Sequence, residues 1–429
     1  MLIWKKRFVS GAFLFVLLSF SSIIFVGASS MWSQTYGGTA YDCAYTLVGT
    51  SDGGFALAGE TNSFGAGESD FWLVKTDESG NMEWNHTYGG SGVDYAFGLV
   101  ETSDGGFALA GLTYSFGVGD SDFWLVKTDA NGNVQWNQTY GGSGTDYAYD
   151  LVETSDGGYA IAGETRSFGA GEEDFWLIKT DGSGNMEWNQ TYGGTRFEYG
   201  GALVELSDGG FALAGGSDSF GDGSYDFCLI KTDEFGALQW NKTYGGSGYD
   251  VDSSLVQTSD GGFALSGLTF SFGAGDADYW LIKTDSDGNM QWNHTYGGAG
   301  TDYNDGLVET ADGGFALAGM QFSFGVGESN LWLVKTDASG NMQWNQTYAG
   351  AGFSYNGGGL LELSDGGFAL AGETRSLGAG DADFWLIKTD ENGVIPEFPS
   401  WTILPLLFTA TLLVILCKKR LNKNMPKKS

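Results

Sequence analysis

Four short apolar runs recur in a fixed order along this chain, each bounded by polar turn residues. Between Gly98 and Tyr140 they are Gly98–Thr102, Phe107–Gly111, Phe123–Thr128 and Val134–Tyr140. Each has five to seven residues rich in β-branched and aromatic side chains, and nothing in them repeats with the period of a helix. Ser103-Asp104-Gly105-Gly106 joins the first two, and Asp129-Ala130-Asn131-Gly132-Asn133 joins the last two. Both are tight-turn sequences with glycine available for positive φ. Two hairpins in series make a four-stranded antiparallel meander, whose strands we call A, B, C and D.

The pattern repeats every 52 residues. The leading tryptophan of strand D falls at Trp32, Trp84, Trp136, Trp188, Trp240, Trp292 and Trp344. A long fixed period signals a solenoid, a propeller or a tandem array. The two ends choose among them. The last copy runs through its C strand, Phe384–Thr389, and stops, because Pro396 stands where the next tryptophan would fall. The first copy begins with a lone D strand, Met31–Tyr36. These defects are complementary, so the N-terminal D strand is expected to complete the last sheet and lock a ring. The fold expected is all-β: a seven-bladed β-propeller over residues 31–395, with four antiparallel strands per blade.

Several repeated residues have structural duties in this reading. The tryptophans of strands C and D fill the space between blades. The Gly-Gly pairs after the strand-D tyrosines relax the backbone where the chain leaves for the next blade. The strand-C lysines, Lys75, Lys127, Lys179, Lys231, Lys283, Lys335 and Lys388, pair with carboxylates. An aspartate at each A–B turn, Asp52 through Asp365, caps that turn. No cofactor is expected. Calcium at these turns is the one ion to consider, although no copy has the spacing of a calcium loop.

Charge narrows the partners. The chain has 53 acidic and 20 basic residues, and nine of the basic ones lie in the two tails. The ring itself is strongly acidic, which disfavours nucleic acid as a partner. Residues 1–30 carry Lys5-Lys6-Arg7, an apolar run and Gly27-Ala28-Ser29, and read as a secretory signal. Residues 396–429 carry Pro396-Glu397-Phe398, an apolar stretch over Trp401–Cys417 and Lys418-Lys419-Arg420. The basic cluster would stay cytoplasmic and hold the ring outside. Of the three cysteines, Cys43 is placed in the first D-to-A loop, Cys228 replaces a strand-C tryptophan and Cys417 lies in the apolar stretch, so no disulfide framework is expected.

The C-terminal tail resembles the PEF-type sorting signals of archaeal surface proteins. That resemblance implies an archaeosortase-like membrane enzyme that cuts near Pro396-Glu397-Phe398 and transfers the protein to a lipid; a plain single-pass anchor is the alternative. The repeats resemble a family of secreted bacterial and archaeal propellers that carry S-D-G-G-[FY]-x-[LI]-A-G and [DE]-x-[FYW]-[LI]-[IV]-K-T-D in each blade. Those motifs describe turns and core, and a fold hosts many functions.

Candidate chemistry must therefore come from departures from symmetry. The only histidines, His86 and His294, sit inside repeated Asn-x-Thr sequons, which argues against a histidine metal site or a Ser-His-Asp triad. The sequons place N-glycan acceptors at Asn85, Asn137, Asn189, Asn241, Asn293 and Asn345, facing outward on strand D. The D-to-A and B-to-C loops should share one face. There the copies diverge at Tyr114, Arg166 and Arg375 after strand B, and at Asp150, Asp252 and Asp305 just before strand A. These six residues are the candidate ligand site, for a surface glycan, peptide or protein. The function expected is a non-catalytic binding, adhesion or surface-structure module on the outer face of a cell membrane. The alternative is a secreted carbohydrate-active hydrolase or lyase using acidic loop residues.

Overall fold

The computed structural model describes residues 31–323, 330–348 and 359–395. The expected signal and sorting segments lie outside them. Seven four-stranded antiparallel sheets form a ring, and the described residues include no helix. The N-terminal strand Trp32–Tyr36 pairs antiparallel with Asp383–Lys388, with Trp32 opposite Lys388 and Tyr36 opposite Phe384. The first chain segment is thus the outer strand of blade 7, as the complementary ends require. Strand A is innermost in every blade, and neighbouring A strands touch around the axis.

Strand lengths differ from the sequence expectation at one end only. In blade 2, strand D runs Val134–Tyr140 as expected, but strand A runs Asp94–Glu101 and strand B Phe107–Thr113. The added residues, Asp94–Phe97 and Leu112–Thr113, mix polar and apolar side chains, so no continuous apolar run marked them. They are held by Asp94. Its Oδ1 accepts from Thr113 Oγ1, and its Oδ2 accepts from Ser115 Oγ at 2.7 Å and the Gly90 amide at 2.9 Å. The same extension moves Cys43 into strand A of blade 1 (Asp42–Gly49), where it is buried.

The core lies between blades. In one cluster Ala108, Phe123 and Leu125 of blade 2 pack on Leu151, Ile161 and Trp176 of blade 3. Phe123 meets Trp176 at 4.7 Å between ring centroids. Strand-C tryptophans are fully buried, whereas strand-D tryptophans are half-buried at the rim. There each lies against the C–D turn glycine of the next blade. Trp84 packs on Gly132, whose φ is 78°, and Tyr88 Oη donates to the Gly132 carbonyl at 2.7 Å. This tyrosine contact recurs at all seven seams, from Tyr36 on Gly80 to Tyr348 on Gly393.

The strand-C lysine and the turn aspartate prove to be partners. Lys127 Nζ, buried, lies 2.9 Å from Asp104 Oδ1 and 3.0 Å from Oδ2, and donates to the Thr128 carbonyl at 2.8 Å. Asp104 Oδ1 also accepts from Thr102 Oγ1 at 2.6 Å and the Gly106 amide at 3.0 Å. The hydroxyl and the ammonium hold this carboxyl down at about 2. An ammonium therefore occupies the place beside the turn carboxylate where calcium was considered.

The Gly-Gly pairs serve a different purpose from the one expected. Gly89 and Gly141 have no positive φ. A Cβ on Gly89 would stand 1.8 Å from Asp70 Oδ1, and one on Gly141 would stand 1.6 Å from Asp122 Oδ1. Space, not backbone freedom, demands glycine there.

Candidate functional site

The end of the ring that carries the D-to-A and B-to-C loops holds the departures from symmetry. A short parallel bridge joins the two loops across each described seam, as between Ser121 and Thr145. Strand A carries a bulge here. In blade 2 the register shifts between Ala96 and Gly98, leaving Phe97 unpaired. The bulge presses the Tyr95 carbonyl onto Gly111 of strand B, where a Cβ would stand 1.8 Å from that oxygen. The bulged residues of blades 1 to 3 are Tyr45, Phe97 and Tyr149. Their rings follow one another around the axis at centroid distances of 4.9 and 5.6 Å. At the same register blades 4 and 6 carry Gly201 and Asp305, so the aromatic arc covers one side only.

A second register adds carboxyls to the same arc. The penultimate residue of strand B is Glu60, Glu164 and Glu373 in blades 1, 3 and 7, all buried. Blades 2, 4, 5 and 6 have Leu112, Gly216, Leu268 and Met320. Tyr45 Oη donates to Glu60 Oε1, and Ser69 Oγ donates to Glu60 Oε2 at 2.8 Å. Tyr149 Oη donates to Glu164 Oε1 at 3.0 Å, and the Gly200 amide donates to Oε2 at 3.3 Å. Burial first, and then the neighbouring Glu173 charge, push the Glu164 carboxyl up to about 8. Burial likewise raises Glu60 and Glu373.

Of the six residues singled out in the sequence, Tyr114, Asp150, Arg166 and Arg375 belong to the blades of this arc, Asp252 and Asp305 belong to blades 5 and 6, and the six form no one cluster. Arg166 grips the buried Glu173 through two contacts, Nε–Oε1 at 2.9 Å and Nη2–Oε2 at 3.2 Å. Arg375 Nε lies 3.2 Å from Glu373 Oε1, and its guanidinium stands over the Tyr41 ring at 5.7 Å. Both arginines are thus committed to buried glutamates. Tyr114 Oη lies 2.8 Å from Tyr147 Oη on the exposed face.

Asp150, Asp252 and Asp305 were expected just before strand A. They lie inside it, at its fifth, third and fourth positions respectively, because the strand starts earlier than its apolar run. The side chain of Asp252 is outside the described set. Asp150 reaches across a seam, its Oδ2 accepting from the Leu203 amide at 2.9 Å. The surrounding strands leave Asp150 and Asp305 poorly solvated, and burial raises both to about 7.

The aromatic arc and the glutamates were not singled out in the sequence. A signal for the glutamates is present: A-G-E-T occurs in blades 1, 3 and 7 and in no other copy. The aromatics gave none, because an aromatic in a strand reads as core.

These carboxyls set an expected pH response. A carboxyl near 4 in the unfolded chain ionises there while its folded counterpart stays protonated up to about 7 or 8. The unfolded state thus loses protons first, and stability falls as pH rises from about 4 to about 8. The turn aspartates held at about 2 act in the opposite sense, their contribution fading as pH falls from about 4 toward 2. Thermal scans should therefore show the highest Tm in mildly acidic buffer, with a decline toward pH 8 that flattens in Glu164→Gln. A Tm that climbs steadily to pH 8 would contradict the assignment.

At the rim, the sequon asparagines have a structural duty. Asn137 Oδ1 accepts from the buried Trp124 indole at 3.2 Å, and the same contact holds for Asn85, Asn189, Asn293 and Asn345. In blade 4, Cys228 replaces the indole opposite Asn241. In blade 7, Ser33 stands where the asparagine would, and the Trp385 indole is left without a hydrogen-bond partner. The asparagine side chains remain exposed.

No protein-family model matches the chain, and no curated protein matches it. Solved structures do. A polysaccharide lyase, an ulvan lyase bound to a sugar, aligns over 85% of this chain and 98% of its own, at 9% identity and a TM-score of 0.52. A puromycin hydrolase variant aligns over 85% of this chain and 57% of its own, at 12% identity and 0.51. Sqt1 from Chaetomium thermophilum aligns over 83% and 97%, at 11% identity and 0.48. Identities this low speak to fold alone, and by fold the chain is a seven-bladed β-propeller.

Proposed function

We propose that this propeller is a non-catalytic binding module, held at the outer face of a cell membrane, whose ligand sits axially over the arc of blades 7, 1, 2 and 3. One observation carries the reading. In a ring whose strands are nearly identical, three aromatic rings in tilted contact and three buried glutamates gather on one side at one end. Specific recognition requires such asymmetry, and aromatic faces with a few fixed polar groups are the usual makings of a small-molecule site. A glycan suits them best, its C–H faces lying on Phe97 and Tyr149 and its hydroxyls meeting the glutamates. The export signal, the PEF-type tail and outward-facing glycans on strand D belong to the same proposal.

The alternative, a carbohydrate-active enzyme, has one observation in its favour. Burial and the neighbouring Glu173 charge raise the Glu164 carboxyl to about 8, while Arg166 pairs with Glu173, so a raised carboxyl and an ion-paired one lie side by side. The test is a glycan and peptide array probed with the ring, followed by Phe97→Ala and Glu164→Gln. Binding weakened at least tenfold by Phe97→Ala supports the axial site. Binding unchanged in both variants removes the arc from consideration. Turnover that Glu164→Gln abolishes while binding persists identifies the enzyme.

A further inference from the structure

A second set of carboxyls repeats around the ring at the seams between blades. Strand C opens with an aspartate in six blades, among them Asp70, Asp122, Asp174, Asp226 and Asp278, each no more than 2% exposed. One oxygen of each is held by the preceding loop; Asp70 Oδ2 accepts from the Ala66 amide at 2.6 Å and the Gly67 amide at 3.2 Å. The other oxygen, Oδ1, is buried in all five and has no hydrogen-bond partner among the described residues. A buried anionic oxygen left bare is costly, and five copies of the same bare oxygen require a common explanation.

Four of these bare oxygens, those of Asp70, Asp122, Asp174 and Asp278, lie beside the carboxyl that opens strand A of the next blade. Beside Gly89, the place of a Cβ lies 1.8 Å from Asp70 Oδ1 and 2.8 Å from Asp94 Oδ2. Beside Gly141 the corresponding distances are 1.6 Å to Asp122 and 2.8 Å to Asp146, and beside Gly297 they are 1.7 Å to Asp278 and 2.7 Å to Asp302. Blade 4 opens with Glu198 instead, and its Oε2 stands 2.4 Å from the same point beside Gly193, where Asp174 Oδ1 stands at 1.9 Å. Two carboxyls therefore converge on one point across each of these seams. No ion pair joins the five aspartates to a base among the described residues, since the strand-C lysines serve the opposite end of the blade. On the neighbouring loop, the Gly90 and Gly92 carbonyl oxygens lie 2.5 and 2.6 Å from the place of a Cβ on Gly67.

We propose that each of these two-carboxylate seams binds a hard divalent cation of the Ca2+ class, which ties strand C of one blade to strand A of the next. The donors are all oxygen, and two are anionic. That set suits Ca2+, which accepts irregular carboxylate and carbonyl shells. Mg2+ demands a tighter octahedron, and the softer metals prefer nitrogen or sulfur. Blade 6 supplies a control within the chain: Asn330 replaces the aspartate, and Ala349 stands where the other seams have glycine. Residues 349–358 contain no acidic residue either, so that seam has neither carboxylate and is assigned no cation.

The test uses the full chain, stripped with EDTA and titrated with Ca2+ by calorimetry. Expected are several Ca2+ per chain, approaching one per two-carboxylate seam, a higher Tm with Ca2+ than with EDTA, and weaker binding of Mg2+. Asp122→Asn should lower the stoichiometry by one. If that variant does not fold, Tb3+ emission from the wild-type chain, sensitised by Trp124 and displaced by Ca2+, reads the same site. A Tm and a Tb3+ signal indifferent to Ca2+ overturn the proposal. So does Ca2+ binding whose stoichiometry Asp122→Asn leaves intact. An Asp122→Asn chain as stable as the wild type in both EDTA and Ca2+ assigns the paired oxygens a shared proton instead.

Discussion

Removing Met31–Tyr36 is expected to lower Tm by many degrees and to make the ring aggregate. The strand contributes five residue pairs to blade 7, from Trp32 on Lys388 to Tyr36 on Phe384. Tyr36 is buried in the cluster that joins blades 7 and 1, with Phe55, Trp72 and Phe384. Its hydroxyl donates to the Gly80 carbonyl at 2.7 Å, and the Trp32 ring lies 5.9 Å from Phe55. Losing one buried aromatic costs about 3–5 kcal/mol. The deletion removes Tyr36, most of Trp32 and a whole ladder of backbone bonds together. It also bares the edge of Asp383–Lys388, an apolar strand otherwise almost wholly buried. Such an edge invites pairing with another chain. Differential scanning calorimetry and light scattering read both effects. An unaltered Tm would mean that the ring is held shut by something other than this strand.

Gly111→Ala should be the most damaging single methyl in the ring. The added carbon would stand 1.8 Å from the Tyr95 carbonyl oxygen and 2.8 Å from its carbon, both backbone atoms that no rotamer change can move. To make room, strand A must lift from strand B and carry the bulged Phe97 out of the aromatic arc. Overpacking of this kind typically costs about 1–3 kcal/mol, and a backbone clash falls at or above the upper end. Gly105→Ala is the matched comparison. It has open space around it but a φ of +80°, so only the left-handed conformation opposes the change. That penalty is about 1–2 kcal/mol. Urea melts of the two variants should rank Gly111→Ala well below Gly105→Ala. The reverse order would mean that the bulge slides without cost, and with it the register that positions Tyr45, Phe97 and Tyr149.

Most of the architecture is legible in the sequence because period and terminal defects are properties of the whole chain. Strand D and the ring closure depend on apolar spacing and on complementary ends, and both fell where the pattern placed them. The front of strand A was missed because Asp94 through Phe97 are held by side-chain bonds and a bulge, neither of which leaves an apolar rhythm. That error put Asp150, Asp252 and Asp305 on a loop they do not occupy. The arginines were noticed for being rare in an acidic ring. Their partners, Glu173 and Glu373, were hidden among dozens of other carboxylates, since burial distinguishes them and a sequence does not display burial. Glu60 and Glu164 were legible only through one letter of an A-G-x-T segment that itself drifts to A-G-G-S, S-G-L-T and A-G-M-Q in blades 4 to 6.

The offset between unit and blade has a consequence for how such a ring can change over time. Each 52-residue copy begins one strand before a blade ends, so a duplication or deletion of one whole copy never leaves a blade incomplete. Excising residues 84–135, for example, would join strands A to C of blade 1 to the following Val134-type outer strand, here Trp136–Tyr140, and the chain would still start with an outer strand and finish lacking one. Ring size is therefore free to drift by unequal recombination without any intermediate that cannot close. The plan of the ends therefore does not hold the count at seven; that task is left to the packing between blades, where Phe123 meets Trp176.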